Sequence, residues 1–201
     1  MSIRLLFVPV SGEFGMGEYA RSLNLALAFA RHRPDADIHF VISARAPYAK
    51  SLPFGSTELP NSPTFHSPEV CRLIEDMRPD IVVFDNAGRG AQLAAARRSG
   101  ARIVYISARP RQRRKAFRLS WMRMLDEHWI AYPEFVAGPL SAVERIKLKW
   151  LKRPTIRHLD CLLPSLTAAE QAGLYSRIGV TPGSYAPVSY THLTLPTNRE
   201  V

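Results

Sequence analysis

Cysteine is scarce in this sequence: Cys71 and Cys161 are the only two among 201 residues. They lie far apart beside apolar neighbours, with no second Cys or His at metal-ligand spacing, which excludes a disulfide framework or a zinc ribbon as the basis of the fold. Both are read as reduced, buried thiols of a cytosolic protein. Long apolar runs are lacking too. No stretch reaches the ~18 residues that a membrane-spanning helix needs. The apolar part of MSIRLLFVPVSGEFG breaks into glycines where a secretory signal would carry a small-residue cleavage site. The histidines are scattered, no G-x-S-x-G elbow for a serine hydrolase is present, and no internal repeat occurs. Neither a bound metal nor a cofactor is expected.

Acidic residues are also in short supply. Seventeen Asp and Glu stand against 27 Lys and Arg, a formal charge of +10. That excess points to anionic partners: nucleic acid, an anionic membrane surface or phosphorylated small molecules. The 46% hydrophobic content is ordinary for a globular protein and supplies one well-cored domain.

The apolar residues are arranged in strand-length runs that alternate with helical patterns. IRLLFVPV (3–10), DIHFVIS (37–43), DIVVFD (80–85) and ARIVYIS (101–107) read as buried strands, and HWIAYP (128–133) as a further one. Helices are expected over 18–31, 68–77 and 90–98, and from the capping-box pair Ser141 and Glu144 to about Lys152, ahead of Pro154. TIRHLDCLLP (155–164) is read as a short apolar segment. Near-continuous apolar strands joined by helices predict an α/β, Rossmann-like parallel sheet with helices on both faces.

The first strand runs into SGEFGMG and then into a long amphipathic helix. This places backbone N–H groups and a positive helix end at the carboxyl edge of the sheet, a position suited to an anion or polar ligand. The spacing of Gly12, Gly15 and Gly17 is neither G-x-G-x-x-G nor a Walker loop, and no Lys-Ser/Thr follows, which argues against an NTPase. Tight strand-to-helix packing is the other reading of such a turn.

The phrases GMGEYARSLNLALAFA and PDIVVFDNAGRGAQLAAARRSGARIVYIS resemble the amino-terminal domain of GT-B glycosyltransferases. The resemblance is to the family 28 enzymes and the related nucleotide-sugar hydrolases, over roughly residues 4–187. Those families open the first helix with G-x-G-H or G-G-H, often with an Arg soon after; here Gly15-Met16-Gly17-Glu18 and Arg21 occupy these places. RIGVTPGSYAPV (177–188) looks like the entry to their second domain, which carries the donor nucleotide. The resemblance implies residues 1–165 as an acceptor-binding domain, 166–187 as a linker and the start of a missing donor domain, and a fragment inactive alone. It also implies a nucleotide-sugar donor bound by that missing domain, a saccharide or lipid-linked acceptor, and hexosyl transfer. A nucleotide-sugar hydrolase and a non-enzymatic module binding anions or a membrane surface remain alternatives.

Glu18, standing where the family has His, is a candidate general base. A carboxylate in a first helical turn is held charged by roughly 0.3–1 kcal/mol, so a favourable N-terminal helix charge is the competing reading. Arg21 can pair with Glu18 or reach a phosphate. The second constellation, Asp85, Asn86, Gly88 and Arg89, follows DIVVFD at the same sheet edge. Asp85 is read either as a base toward an acceptor hydroxyl or as a helix cap, and Arg89 as a phosphate or carboxylate holder. A third strand, ARIVYIS, ends there at Ser107 with Arg109 beyond it, so three loops converge.

Two basic runs remain. RPRQRRKAFRLSWMR (109–123) carries seven cations and no acid, with Phe117, Trp121, Met122 and Leu125 at roughly helical spacing, and ERIKLKWLKR (144–153) repeats the arrangement. Both fit a solvated helix face, or contact with anionic lipids at the inner membrane face. Nucleic acid is the weakest reading, since no recognised RNA or DNA module is present. VSYTHLTLPT (188–197) resembles the translation of a transposase-end sequencing adapter, so 188–201 is expected to be non-native.

Overall fold

The computed structural model describes residues 2–13, 16–47, 49–159 and 168–179. Gly15, Cys161, most of the 177–188 phrase and the 188–201 tail lie outside them. The chain divides into two compact units, Met1–Leu163 and Pro164–Val201. Of the second unit, one helix is described, Ala168–Ile178.

The first unit alternates strands and helices: β1 (Arg4–Pro9), α1 (Gly17–His32), β2 (Asp37–Ser43), β3 (Gly55–Leu59), α2 (Ser67–Met77), β4 (Ile81–Asp85), α3 (Gly90–Arg98) and β5 (Arg102–Ser107). Then follow α4 (Pro110–Ala116), α5 (Leu119–Met122), β6 (Glu127–Ile130), α6 (Glu134–Ala137), α7 (Ala142–Leu151) and β7 (Thr155–His158). All seven strands form one parallel sheet in the order β3-β2-β1-β4-β5-β6-β7. The chain therefore winds outward from β1 to β3 and returns to the other side of β1 at β4. The strand order reverses between β1 and β4, and the crevice beyond their carboxyl ends is where such sheets take ligands.

Burial on both faces explains the uninterrupted apolar strands. On one face Leu6, Val82, Phe84, Ile103 and Tyr105 pack with Val70 and Ile74 of α2 and Leu93 of α3. On the other Leu5, Phe7, Phe40, Val83 and Val104 pack with Ala26, Leu25 and Phe29 of α1, and Phe7 stacks on Phe40 at 4.9 Å. Each fully buried Leu, Val, Ile or Phe among them contributes about 1.5–3 kcal/mol.

The α/β parallel sheet with helices on both faces is as expected, and three details differ. β3 is an added edge strand of sequence GSTEL, in which only Leu59 is buried. An edge strand with one covered residue carries no apolar run to read, and its exposed Glu58 discourages further pairing. The 155–164 segment begins with β7, which pairs parallel to β6. The 109–123 run is broken into α4 and α5 at Phe117, because Phe117, Trp121 and Met122 turn into the core. The second basic run does form one helix, α7, started by a complete capping box between Ser141 and Glu144.

Candidate functional site

The loops after β1 and β4 lie side by side. Pro9 is in register with Asp85, and the Val10 N–H donates to the Asp85 carbonyl at 2.9 Å. Asp85 ends β4 with no exposed side-chain surface. Arg21, one turn into α1, donates to both of its carboxylate oxygens, Nε to Oδ2 at 2.9 Å and Nη2 to Oδ1 at 2.6 Å, and the Ser22 hydroxyl donates to Oδ2 at 3.3 Å. Burial pushes the Asp85 carboxyl up to about 6 against the opposing pull of Arg21, with nearby Glu18 adding to the rise. Burial works against the Arg21 charge as well, but its hydrogen bond and attraction to Asp85 prevail and hold it above its ordinary value. This bidentate pair joins α1 to the sheet across 64 residues of sequence.

Asn86 continues the network. Its backbone is left-handed at φ 51°, which Asn tolerates better than most residues. Its Nδ2 donates to Glu18 Oε1 at 2.8 Å, while its Oδ1 accepts the Ala108 N–H at 2.8 Å. One side chain thus ties the start of α1 to the loop after β5. Gly88 follows at φ +90°, where an added Cβ would stand 3.2 Å from Leu93 Cδ1.

Glu18 keeps 14% of its side-chain surface exposed, and Arg109, reaching over from the loop after β5, places Nη2 at 3.6 Å from Oε1. Of the sequence-predicted residues, Glu18, Arg21, Asp85, Asn86 and Arg109 therefore form one connected cluster. Its members differ in access. The Asp85 carboxylate is enclosed and hydrogen-bonded at both oxygens, whereas Glu18 keeps some of its side-chain surface open. Gly12 and Gly17 stand beside the cluster with open space where a Cβ would project, which leaves the backbone approachable.

Ser107 and Arg89 line separate cavities, to which α4 contributes residues from different faces. The first, about 410 Å³, is bounded by Ser107, Arg109, Arg113, Tyr132 and Val136 among others. Ser107 is itself buried, with its hydroxyl 2.8 Å from His128 Nε2. Burial, helped by Arg113, drives the His128 imidazole down to about 3, so it stays neutral. The sequence reading missed this pair, because a lone His in an apolar strand carries no mark of its partner. The second cavity, about 400 Å³, is bounded by Val10, Thr64, Asn86 and Gln112 and by the cations Arg89, Arg111, Lys115 and Arg118. Arg89 Nε also donates to the Thr64 carbonyl at 3.0 Å. Among the described residues no group of His, Cys, Asp and Glu has metal-binding geometry.

No protein-family profile matches the sequence. No curated protein matches it either. Solved structures do resemble it in fold. A glycosyltransferase from Rickettsia africae ESF-5 superposes with a TM-score of 0.55 at 11% identity, covering 90% of this chain and 51% of that one. Arabidopsis thaliana UGT89C1, complexed with UDP-L-rhamnose, gives 0.54 at 13% identity over 89% of this chain and 63% of that one. A ugt transferase from Siraitia grosvenorii in complex with UDP gives 0.50 at 11% identity over 86% and 51%. The chain thus spans about half to three-fifths of the length of these structures. At such identities the likeness is one of fold, and that fold is the Rossmann-like α/β sheet of GT-B glycosyltransferases.

Proposed function

We propose that this chain is the acceptor-binding half of a glycosyltransferase near family 28, moving a hexosyl group from a nucleotide-sugar to a hydroxyl of a cell-envelope or lipid-linked acceptor. In this reading residues 1–165 hold the acceptor, 166–187 lead toward a donor-binding half, and 188–201 are adapter-derived. The observation that carries the reading is Glu18. It is a partly open carboxylate at the first turn of α1, oriented by Asn86 at 2.8 Å and facing Arg109, at the strand-order reversal of a sheet with the GT-B fold.

The chemistry follows from that placement. Glu18 accepts the acceptor hydroxyl proton as the oxygen bonds to the anomeric carbon and the nucleoside diphosphate leaves with the electrons of the broken C–O bond. Asp85 acts as a positioning residue, fixing Arg21 and through it the first turns of α1. Backbone N–H groups at Gly12 and Gly17, with Arg109, offset negative charge at the reacting centre.

A membrane-facing role is supported by α7. Val143, Ile146 and Trp150 form an exposed stripe along it, 59%, 68% and 66% exposed, flanked by the exposed cations Arg145, Lys149 and Lys152. Aromatic and aliphatic residues beside cations suit an anionic bilayer surface. The first basic run buries its aromatics and lacks this face. No helix among the described residues is long and apolar enough to cross a membrane.

The test is transfer of labelled sugar by a protein joining this chain to the downstream half of its reading frame, with and without a lipid-linked acceptor. The proposal expects a glycosylated acceptor, little release of free sugar, and no turnover by this chain alone. Rapid release of free sugar from donor without acceptor would replace the transferase with a nucleotide-sugar hydrolase. Binding of acceptor without either reaction would leave a binding module.

A further inference from the structure

We propose that the cavity between the loop after β4 and α4 is a phosphoryl-binding site, in which Arg89, Arg111, Lys115 and Arg118 hold a phosphate or diphosphate group carried by the acceptor. The word "acceptor" rests on the function proposed above; the anion site itself does not.

Charge is the first observation. Four cations line a cavity of about 400 Å³, and among the described residues no carboxylate lines it. Elsewhere the chain pairs its more enclosed arginines with acids, Arg21 with Asp85, Arg113 with Glu144, and Arg97 and Arg153 with Asp126, and even the exposed Arg102 and Arg157 meet Glu127. Among the described residues no acid pairs with any of these four. The nearest carboxylates of the site are already engaged, Asp85 by Arg21 and Glu18 by Asn86 and Arg109.

Lys115 shows the cost of the arrangement. It is half-buried, with its ammonium 4.2 Å above the Trp121 ring and donating to the Gly88 carbonyl at 2.8 Å. Burial and the crowding of Arg89, Arg118 and Arg111 pull it down to about 8. A like-charge group assembled around a half-enclosed ammonium gains most from a bound dianion, which accepts charge-assisted hydrogen bonds from all of them. Two guanidinium-bearing segments also offer the forked donor geometry that phosphate oxygens accept.

Placement then limits what the anion belongs to. Asn86 lines this cavity and also bonds Glu18. A phosphoryl group on the cations therefore puts the molecule carrying it next to the candidate base. The volume exceeds that of ten waters at ~30 Å³ each, which leaves room for a diphosphate and the group attached to it.

The experiment is calorimetric titration of the 201-residue chain with inorganic pyrophosphate at low ionic strength. The variants are Arg111→Gln/Arg118→Gln and, as a charge-matched control, Arg145→Gln/Lys149→Gln on α7. Arg111 and Arg118 are exposed and, among the described residues, make no side-chain hydrogen bond or ion pair, so their loss leaves the fold intact; an unchanged urea midpoint verifies this. We expect saturable binding that falls at least about tenfold in the first variant and stays within about twofold in the control, two charge-assisted bonds being lost in one and none in the other. Absence of saturable binding, or an equal fall in both variants, overturns the site. Displacement of pyrophosphate by a short prenyl diphosphate assigns a lipid-borne phosphoryl group, and displacement by a hexose 1-phosphate alone assigns a soluble one; displacement by neither overturns its assignment to an acceptor. If the joined two-domain protein transfers sugar as fast in the Arg111→Gln/Arg118→Gln variant as in wild type, the site fails while the transferase stands. If pyrophosphate binds as expected and no transfer occurs, the transferase fails while the site stands.

Discussion

Replacing Arg21 with Met should expose how much of the fold depends on one buried ion pair. Met retains most of the stem volume of Arg21 and removes its two hydrogen bonds to Asp85, 2.9 and 2.6 Å long. What remains is a carboxylate with no exposed surface and a single, long bond from the Ser22 hydroxyl at 3.3 Å. Breaking a buried pair from one side costs about 3–5 kcal/mol. The lower end, about 3 kcal/mol, applies here at neutral pH because Arg21 is itself 15% exposed and Asp85 can escape its unpaired charge by taking up a proton. The loss must also depend on pH. The folded-state pKa of Asp85 is raised to about 6 from an ordinary 3.8, so its contribution to stability is fully present below 3.8 and is lost as pH rises through about 6. Without Arg21 the folded value rises further, and the variant keeps losing stability above the pH at which the wild type levels off. Urea denaturation followed by circular dichroism should show a loss of about 3 kcal/mol at pH 7.5, shrinking to about 1 kcal/mol at pH 5, where the carboxyl is largely neutral in both proteins. A loss below about 1 kcal/mol at pH 7.5, or an equal loss at the two pH values, would refute the reasoning.

Two other perturbations follow from local geometry. Gly88→Ala forces a side chain onto φ +90° with Leu93 Cδ1 3.2 Å and Phe84 3.5 Å from the new Cβ, so urea unfolding should show about 1–3 kcal/mol of destabilisation, while Gly12→Ala, with open space around it, should be close to neutral. Ile146→Ser/Trp150→Ser on α7 should weaken sedimentation with anionic vesicles by at least about tenfold, since each side chain forfeits about 1.5–3 kcal/mol of apolar burial; unchanged partitioning would remove the membrane from the account.

The sequence displays the sheet well because the strands are buried on both faces and so carry unbroken apolar runs, as in LLFVP and IVVFD. β3 was hidden because an edge strand with one buried residue has no such run. The two basic runs looked alike, and only packing separates them: Trp121 turns inward against Tyr105, whereas Trp150 stays exposed. At the site, the residues were legible as loop positions following strands, but their partners were not. Arg21 meets Asp85 from 64 residues away, and Ser107 meets His128 from 21. The enclosure of Asp85 is likewise a product of packing, since nothing in DIVVFDN distinguishes a carboxylate facing an acceptor from one covered by α1. The four cations of the second cavity come from the loop after β4 and from α4 and its end, and their convergence depends on β4 and β5 being neighbours.

The most direct measurement is the turnover of Glu18→Gln in the joined two-domain protein, with nucleotide-sugar and acceptor both saturating. Gln keeps an oxygen to accept the Asn86 N–H but cannot take a proton, so kcat should fall about 10²- to 10⁴-fold with KM for the acceptor little changed. A variant that transfers sugar at the wild-type kcat would contradict the assignment of Glu18 as the base on which the proposed function depends.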